Sequence, residues 1–408
     1  MREQLDGPLA LVMGDVDMVR ALGVAGIASA YFGPEDDTAR LSRHVQMSLP
    51  WIDPWEHPSE LADVLLAFAR AQPQPLVLFP QTDASLLLAS RHREQLSERF
   101  RFALADADLV EALVDKSRFQ ALAAERGLPV PTAQRLHPSP GAPAPAIEVP
   151  FPAIVKPLTR TPGWTAMVGA GKALHVMDPD DFARAWRELS ALPTDLLAQQ
   201  LIAGPESSIE SFHVYVDEGG AVAGAFTGRK IRTFPLEYGR STAVEIVSLP
   251  DVDELGRDVV ARLGLTGVAK LDFKRDMTGR LHLLEINPRF NLWHYPAALA
   301  GVNLPELVYA DVTGRERPPV AARPKELAWV DPLQDLRAAR AADVSLVPWL
   351  RFVAACPAIC GLAWADPAPF LRGTLWGACW RRAVSRVPRG RTPRRAPTGP
   401  GAAPRSSA

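Results

Sequence analysis

Short apolar runs and amphipathic stretches alternate over the first hundred residues of this 408-residue chain. Residues 9–14 and 27–32 are apolar runs of strand length, and they predict buried strands on either side of a helix at 17–23. A second helix is expected at 59–70, where apolar residues recur at helical spacing, followed by a buried strand at 75–80. Strand, helix and strand in this order are typical of an α/β layer.

Polar residues follow the strand at 75–80 and precede a predicted helix at 84–97. Ligands bind at the carboxyl edge of open α/β sheets, so Thr82 and Asp83 are candidate site residues. A plain capping role for Asp83 is an equal alternative, and Ser59 is a candidate cap for the earlier helix. The glycine-rich fingerprint of dinucleotide binding is missing after the first strand, which argues against a nicotinamide dehydrogenase.

A Pro- and Ala-rich loop at 136–150 separates this layer from a second series of elements. Apolar runs, turn residues and a helix cap at Asp178 define that series. It comprises predicted strands at 152–157 and 196–202, helices at 178–192 and 252–263, and hairpins at 209–226 and 267–286. Five tryptophans at mixed helical spacing in 326–383 indicate a helical appendage, and the Arg-, Pro- and Gly-rich end from 387 is expected to be disordered.

The charge is distributed unevenly along the chain. The whole chain carries 45 basic and 46 acidic residues, but no acid follows Asp366, whereas nine arginines do. Residues 1–366 therefore have a formal net charge of −10, which gives no support to nucleic-acid binding as the main task. The basic end is expected to be a solvated terminus rather than a docking segment.

Hydrophobic residues make up 47% of the chain, and no run of 18 apolar residues is free of charge and proline. This composition predicts a globular protein without a transmembrane segment. An acid interrupts the apolar start of the chain, so no signal peptide is expected, and the three cysteines favour a reducing, cytoplasmic setting. Cys356 and Cys360 lack a companion His or Cys motif, so core packing is expected for them rather than a metal or redox role.

Lysine is scarce, with seven residues against 38 arginines. A lysine that persists in such a chain is expected where a compact, flexible charge is needed, as beside a phosphate. Lys156 lies in the apolar strand at 152–157, where it needs an anionic partner such as a nucleotide phosphate, with an internal salt bridge as the alternative. For Lys116 the alternative is a helix-surface charge. The run GAGKA at 169–173 lacks the first Gly and the Ser/Thr of a P-loop.

The hairpin at 267–286 carries the strongest chemical signal. Strand alternation puts Glu285 and Asn287 on one face, and antiparallel pairing brings Asp272 beside Glu285. Two carboxylates and an amide oxygen suit Mg²⁺ that is shared with substrate phosphates. The alternative is a solvated hairpin with ordinary surface acids, but the flanking residues LHLLEIN are too apolar for a wholly solvated strand.

Five segments in this order resemble the ATP-grasp superfamily of carboxylate ligases. They are Lys116, Lys156, QQLIAGPE at 199–206, Asp272, and LLEINPR at 283–289. The resemblance covers residues 110–318 and is closest to predicted carboxylate–amine ligases with carbamoyl-phosphate-synthase-like ATP-grasp modules. The opening α/β layer resembles the domain that precedes ATP-grasp in many of these enzymes.

The resemblance implies a nucleotide site. Lys116 and Lys156 look like the two lysines that contact the nucleotide phosphates, and Glu206 resembles the acid that holds the ribose hydroxyls. The hinge whose backbone meets adenine would comprise Gln199, Gln200, Leu201 and Ile202. Acids are usual where this chain has the two glutamines, so the adenine contacts are expected to differ.

The resemblance also implies a metal and a phosphoryl site. Asp272, Glu285 and Asn287 look like the ligands of Mg²⁺ (or Mn²⁺), and Arg289 resembles the arginine near the transferred phosphoryl group. The first ligand is more often Glu, and the mobile loop over the phosphates is usually glycine-rich. Here that loop would be residues 159–172, with Trp164 in the middle as a possible shield against water.

A basic segment at 228–245 is the candidate for the substrate side of the reaction. Of its cations, Lys230 and Arg240 are predicted to act in catalysis, by binding a carboxylate or neutralising charge. A solvated basic loop is the alternative. His294 lies between Trp293 and Tyr295, where a structural role is favoured over a catalytic base.

The resemblance implies a ligase that uses ATP and Mg²⁺ to activate a small-molecule carboxylate as an acyl phosphate for attack by an amine. The alternative is a non-catalytic ATP-binding scaffold or regulatory module. A homodimer is compatible with the family. The expected fold is α/β, with an N-terminal Rossmann-like layer, a two-lobed ATP-grasp domain and a C-terminal helical appendage. The corresponding ranges are 1–112 for the layer, 113–318 for ATP-grasp, 319–386 for the appendage and 387–408 for the disordered tail.

Overall fold

The computed structural model describes residues 7–158, 161–168, 173–237, 239–360, 362–363 and 365–372. The predicted tail at 387–408 lies outside these residues, as do Trp364, Trp376 and Trp380 of the tryptophan-rich segment. Three sheets organise the described chain, and each sheet follows the last in sequence. The division into domains remains a prediction.

The first sheet is parallel throughout and has the strand order β3-β2-β1-β4-β5. Its strands are β1 (Ala10–Met13), β2 (Ser29–Phe32), β3 (Val45–Ser48), β4 (Leu76–Pro80) and β5 (Phe100–Arg101). The helices of this part are α1 (Val16–Val24), α2 (Pro58–Arg70), α3 (Asp83–Arg91), α4 (Arg93–Leu96), α5 (Ala107–Val114) and α6 (Lys116–Glu125). The predicted α/β layer is therefore present, and its order reverses between β1 and β4.

Two predicted helix caps in this layer are wrong. Helix α2 starts at Pro58, which needs no N–H partner at the first helical position, and Ser59 lies inside the helix. The cap of α3 is Thr82, whose hydroxyl accepts the amide N–H of Ser85 while the Ser85 hydroxyl accepts the amide N–H of Thr82. Asp83 therefore does not cap α3.

The second sheet is small and antiparallel, with the order β6-β9-β7-β8. Its strands are β6 (Ala133–Leu136), β7 (Ala153–Pro157), β8 (Leu174–Val176) and β9 (Leu196–Gln200), and its helices are α7 (Pro162–Val168) and α8 (Pro179–Leu189). Helix α8 begins as predicted, because the Asp178 carboxylate accepts the amide N–H of Asp181. It buries Phe182, Trp186 and Leu189, spaced one helical turn apart, against the sheet.

The third sheet has seven strands in the order β14-β13-β10-β11-β12-β15-β16. Its antiparallel part comprises β10 (Ile209–Val216), β11 (Val222–Phe234), β12 (Arg240–Ile246), β13 (Gly267–Arg275), β14 (Leu281–Asn287) and β15 (Leu327–Val330). Helix α9 (Pro250–Leu263) covers one side and ends where Gly264 takes a left-handed conformation, with φ of 59°. Helices α10 (His294–Leu299) and α11 (Leu304–Val312) pack where this sheet meets the first layer.

The tryptophan-rich segment is helical as predicted, with α12 (Pro332–Ala341), α13 (Leu346–Ala355) and α14 (Ala368–Phe370). It also supplies β15 and β16 (Ala358–Ile359) to the third sheet, which the sequence interpretation had not included. The buried Asp335 of α12 accepts hydrogen bonds from Arg232, Thr242 and Trp349. The segment is therefore held to the sheet by a shared carboxylate as well as by strand pairing.

Candidate active site

A cavity of ≈ 670 Å³ opens where the three sheets meet. The thirteen residues to which the sequence assigns catalysis, cofactor binding or metal binding all line it: Lys116, Lys156, Gln199, Gln200, Leu201, Ile202, Glu206, Lys230, Arg240, Asp272, Glu285, Asn287 and Arg289. Of the two further candidates, Thr82 lines the cavity and Asp83 does not. The structure thus brings together residues that are up to 173 positions apart in sequence. Their individual roles stay predictions.

The first layer contributes its switch point to the cavity. Gly14 and Asp15 follow β1, and Gln81 and Thr82 follow β4, the two strands between which the strand order reverses. The Gln81 side chain accepts the amide N–H of Asp15 at 2.7 Å, so the two loops are tied together. An open α/β sheet binds ligands at this place, because the two loops diverge and leave a crevice. Thr82 therefore lies at the cavity, as its position after the strand predicts.

The hairpin of β13 and β14 has the predicted register. Asp272 pairs with Glu285, and Lys270 pairs with Asn287. Side chains at directly opposed positions of an antiparallel pair lie on the same face. The Asn287 amide donates to Glu285 Oε1 at 3.2 Å, so the three predicted metal ligands are adjacent.

Asp272 is buried between cations. It accepts hydrogen bonds from Lys270 Nζ at 2.6 Å and from the Ser211 hydroxyl, and Lys230 Nζ lies 3.9 Å from its Oδ2. Burial alone would raise the pKa of this carboxyl, but the two ammonium groups and the hydrogen bonds hold it below its usual value. Asp272 is therefore an anion in the folded protein.

The donors on this hairpin fit a magnesium ion. The described residues contain no group of three His, Cys, Asp or Glu side chains suited to a metal. Mg²⁺ needs no such cage, because one or two carboxylates with substrate phosphates and waters complete its shell. Asp272 and Glu285 supply the carboxylates, and a carboxylate that already accepts two hydrogen bonds still has free lone pairs.

Five of the seven lysines line the cavity, as the scarcity of lysine suggests. The sequence interpretation singled out Lys116, Lys156 and Lys230 but missed Lys270 and Lys274. Strand alternation could have identified these two lysines, since residues 270, 272 and 274 share one face of β13. Of the remaining two, Lys325 is exposed and Lys172 lies outside the described residues.

Lys156 is partly buried on the small sheet and contacts Gln199. Its Nζ donates to Gln199 Oε1 at 2.9 Å, across the β7–β9 pair. An ammonium can only donate, so the amide oxygen must face it. The Gln199 Nε2 group is consequently turned away, and within the described residues it has no hydrogen-bond partner. A buried donor without a partner is uncommon in folded proteins, and this one belongs to a residue that lines the cavity.

The remaining hinge residues complete a pocket suited to a nucleotide. Ile154, Ile202 and Leu284 give apolar walls for a base, and Lys116 Nζ reaches the Pro157 carbonyl at 3.1 Å from the start of α6. Glu206 begins a 3₁₀ turn and interacts electrostatically with Lys274. Apolar walls, buried cations and an acid at the rim match the base, phosphates and ribose of a nucleotide.

Arg289 joins the first layer to the metal-site hairpin. Its Nε donates to Asp83 Oδ1 at 2.5 Å, and its Nη1 donates to the Gln81 carbonyl at 3.0 Å. Its Nη2 donates to Asn287 Oδ1 at 3.3 Å. Asp83 thus holds the Arg289 guanidinium in place. The capping alternative does not predict this contact.

The basic segment at 228–245 belongs to the paired strands β11 and β12 rather than to a solvated loop. Its cations have different surroundings. Lys230 reaches the cavity, whereas Arg229 pairs with Glu245 on the surface and Arg232 pairs with buried Asp335. Arg240 lines the cavity but is mostly exposed, 3.8 Å from Asp15. Within this segment, the positions of Lys230 and Arg240 match the prediction.

Trp164 does not stand over the cavity. It is fully buried in the core of the small sheet with Phe182 and Trp186, although residues 159–160 and 169–172 of the predicted loop lie outside the described chain. The P-loop-like run at 169–173 falls mostly in the same gap. Trp164 therefore packs in the core of the small sheet and does not shield the cavity from water.

His294 is a core residue. Burial lowers its pKa to about 3, so the ring is neutral, and its ring nitrogens have no hydrogen-bond partner among the described residues. It packs edge-on to His213 and Phe290 behind the cavity wall. Cys356 and Cys360 are free thiols that pack against core clusters, as expected.

Nucleotide affinity is expected to fall as the pH rises above 8. Burial and, to a smaller extent, the Lys116 ammonium lower the pKa of Lys156 to about 8, although Glu285 opposes them. A bound phosphate favours the charged form, so binding takes up a proton above that pH. The dissociation constant of Mg·ADP should rise about tenfold between pH 7 and pH 9, measured by calorimetry.

The variant Gln199→Glu is the matched control for this pH dependence. A carboxylate 2.9 Å from Lys156 Nζ would raise the pKa of the lysine and flatten the profile. If the dissociation constant of Mg·ADP depends on pH equally in Gln199→Glu and in the parent, Lys156 is not the titrating group.

Comparison with known proteins agrees with the predicted fold. A family model described as ATP-grasp in the biosynthetic pathway with Ter operon matches residues 193–334, which is less than half of the chain. A D-aspartate ligase from Enterococcus faecium is 26% identical over 235 residues, which are 55% of this chain and 55% of that protein. The chain spans about half the length of the curated relatives it matches.

Solved structures share the architecture over most of the chain. An L-amino acid ligase from Bacillus licheniformis superimposes with a TM-score of 0.57 at 16% identity, covering 76% of this chain and 75% of the other. The ADP complex of an N5-carboxyaminoimidazole ribonucleotide synthetase, PurK, gives 0.59 at 11% identity, covering 81% and 83%. Family match and architecture agree: the chain is similar to ATP-grasp proteins in sequence over residues 193–334 and shares the fold of the solved ATP-grasp-type ligases over most of its length.

Proposed function

We propose that the protein is an ATP- and Mg²⁺-dependent ligase that joins a carboxylate to an amine through an acyl phosphate. The observation that carries the proposal is that one cavity holds Lys116 and Lys156, an adjacent oxygen set of Asp272, Glu285 and Asn287, and a fixed Arg289. This combination neutralises a nucleotide triphosphate and a developing phosphoryl charge at one place.

The nucleotide lies between the small sheet and the third sheet in this proposal. Lys116 and Lys156 bind its phosphates, and Glu206 binds the ribose hydroxyls. The base stacks against the apolar walls, where the backbone of the hinge recognises it: Gln199, Gln200, Leu201 and Ile202. The solved PurK neighbour carries ADP, which supports nucleotide use by this fold.

The metal is held by Asp272, Glu285 and Asn287, and it would neutralise the phosphate oxygens. A substrate carboxylate oxygen attacks the terminal phosphorus, and ADP leaves. The amine then attacks the acyl carbon, loses a proton, and expels inorganic phosphate. Arg289, Lys230 and Arg240 offset the negative charge that spreads over the transferred group.

The substrates lie at the switch point of the first layer. Asp15 and Arg240 face each other there across 3.8 Å, and an anion and a cation side by side suit the ammonium and carboxylate of an amino acid. The matched ligases act on amino acids by name, so amino acids are the first substrates to test. A homodimer in the cytoplasm is part of the proposal, in keeping with the free thiols.

Phosphate release from Mg·ATP, measured against pooled amino acids, small amines and carboxylic acids, tests the proposal. We expect release that depends on one carboxylate, and a fall of about a hundredfold in Glu285→Gln, because one metal ligand loses its charge. Glu254→Gln is the matched control, since Glu254 is exposed on α9 outside the cavity.

Two outcomes would contradict the proposal. Tight nucleotide binding without phosphate release from any pool would favour the alternative of a non-catalytic binding module. Phosphate release that is unchanged in Glu285→Gln would remove the hairpin from the reaction.

A further inference from the structure

Helix α13 is apolar around its whole circumference. Its sequence, LVPWLRFVAA, contains one charged residue, Arg351. Trp349 and Cys356 are buried on the inner side, against the rest of the fold. A helix that is apolar on every side is normally buried on every side.

The outer side of α13 is nevertheless exposed. Leu346, Val347 and Leu350 are 55%, 57% and 50% exposed, and Leu350 shares a face with both others, which precede it by four and three residues. Soluble proteins rarely leave such a contiguous apolar surface uncovered, because its hydration is unfavourable. These three residues are called the α13 face below.

Exposed arginines lie on α13 itself and on α12, the helix that contacts it. Arg337, Arg340 and Arg351 are exposed, and within the described chain none of them forms an ion pair with a carboxylate. Between 332 and 372 the acids are buried Asp335, buried Asp366 and exposed Asp343. The exposed charges of residues 332–372 are therefore mostly cationic, whereas residues 1–366 have a formal net charge of −10.

We propose that the α13 face binds the surface of an anionic phospholipid membrane. Apolar side chains flanked by arginines enter the boundary between headgroups and acyl chains while the cations meet lipid phosphates. The sequence after Arg372 adds eight arginines and two tryptophans and no acid, which is the composition that anionic membranes attract. No helix in the described part of the chain has the length and apolar run needed to cross a bilayer, so the contact is peripheral.

A second copy of the chain fits the same face less well. A symmetric dimer would oppose the same patch on both subunits, so arginines would face arginines. Like charges at an interface oppose association. Charge complementarity thus favours the anionic lipid over a second copy.

Sedimentation of the full-length protein with vesicles tests this proposal. Vesicles of phosphatidylcholine with about a third phosphatidylglycerol should capture the protein, whereas pure phosphatidylcholine should not. The double variant Leu346→Asp/Leu350→Asp should lower the partition coefficient at least about tenfold, because two acids replace the inserted groups. Met277→Asp is the matched control, since Met277 is 84% exposed at the tip of the β13–β14 hairpin, and it should bind like the parent.

A second variant separates charge from apolar contact. Arg337→Glu/Arg340→Glu leaves the α13 face intact and should also weaken binding to anionic vesicles at least about fivefold. Equal capture by neutral vesicles, or equal binding of the parent and Leu346→Asp/Leu350→Asp, would overturn the proposal. So would self-association without vesicles that Leu346→Asp/Leu350→Asp abolishes, because it would identify a second copy as the occupant. None of these readouts depends on ligase activity.

Discussion

Replacing Asp272 with Asn should lower the free energy of unfolding by about 3–5 kcal/mol, because it leaves buried Lys270 and Lys230 without their anion. The pKa of Asp272 is held below its usual value, so the carboxylate stabilises the fold fully above about pH 4 and this contribution is lost as the pH falls further. Urea unfolding at pH 7 measures the difference. In the proposed reaction, Mg²⁺-dependent ADP formation should fall by at least about a hundredfold in the same variant.

The two effects of Asp272→Asn can be separated by a second substitution. Adding Lys270→Met removes one of the unpaired ammonium groups, so it should restore part of the stability without restoring ADP formation. If the double variant recovers activity, Asp272 serves only to neutralise Lys270. If Asp272→Asn unfolds at the same urea concentration as the parent, the ion pair contributes nothing to stability.

Arg289→Ala should lower the rate of ADP formation about a thousandfold while leaving nucleotide binding within about threefold of the parent. Asp83 and the Gln81 carbonyl hold the guanidinium before any substrate arrives, so its charge is available to the transferred group without reorganisation. Single-turnover ADP formation with the best substrate, together with calorimetry of Mg·ADP, separates the two quantities.

Two further variants sharpen the test of Arg289. Arg289→Lys keeps the charge but loses the fork that spans Asp83 and Asn287, so it should recover little of the rate. Arg280→Ala, in the exposed turn between β13 and β14, should behave like the parent. A loss of less than tenfold in Arg289→Ala would exclude Arg289 from phosphoryl transfer.

Local pattern explains only part of the hairpin at the centre of the site. Strand alternation put Glu285 and Asn287 on one face. The turn alone would set Asp272 opposite Leu284, and a register shift between Asp272 and Phe273 brings Glu285 there instead. Local pattern also located Thr82, because a short buried strand places it at the carboxyl edge of the first sheet.

Irregularities and distant partners were beyond that kind of reasoning. Alternation alone would place Lys230 and Arg232 on the same face, but the register shifts between them, and only Lys230 reaches the cavity. Asp83 was ambiguous because its partner Arg289 is 206 residues away. Strands β15 and β16 were not predicted, because apolar runs of four and two residues are equally compatible with a helix and with a strand.

The distribution of lysine should allow acylating reagents to label this cavity selectively. Positions that carry surface ammonium groups in most proteins carry guanidinium groups here, and these do not react with acylating reagents under mild conditions. Five of the seven side-chain amines stand around one cavity, and burial lowers the pKa of two of them, Lys156 and Lys274, so more of each amine is in the nucleophilic neutral form near neutral pH. A covalent probe that carries an activated ester would therefore find its targets mainly at the cavity and leave most of the outer surface unlabelled.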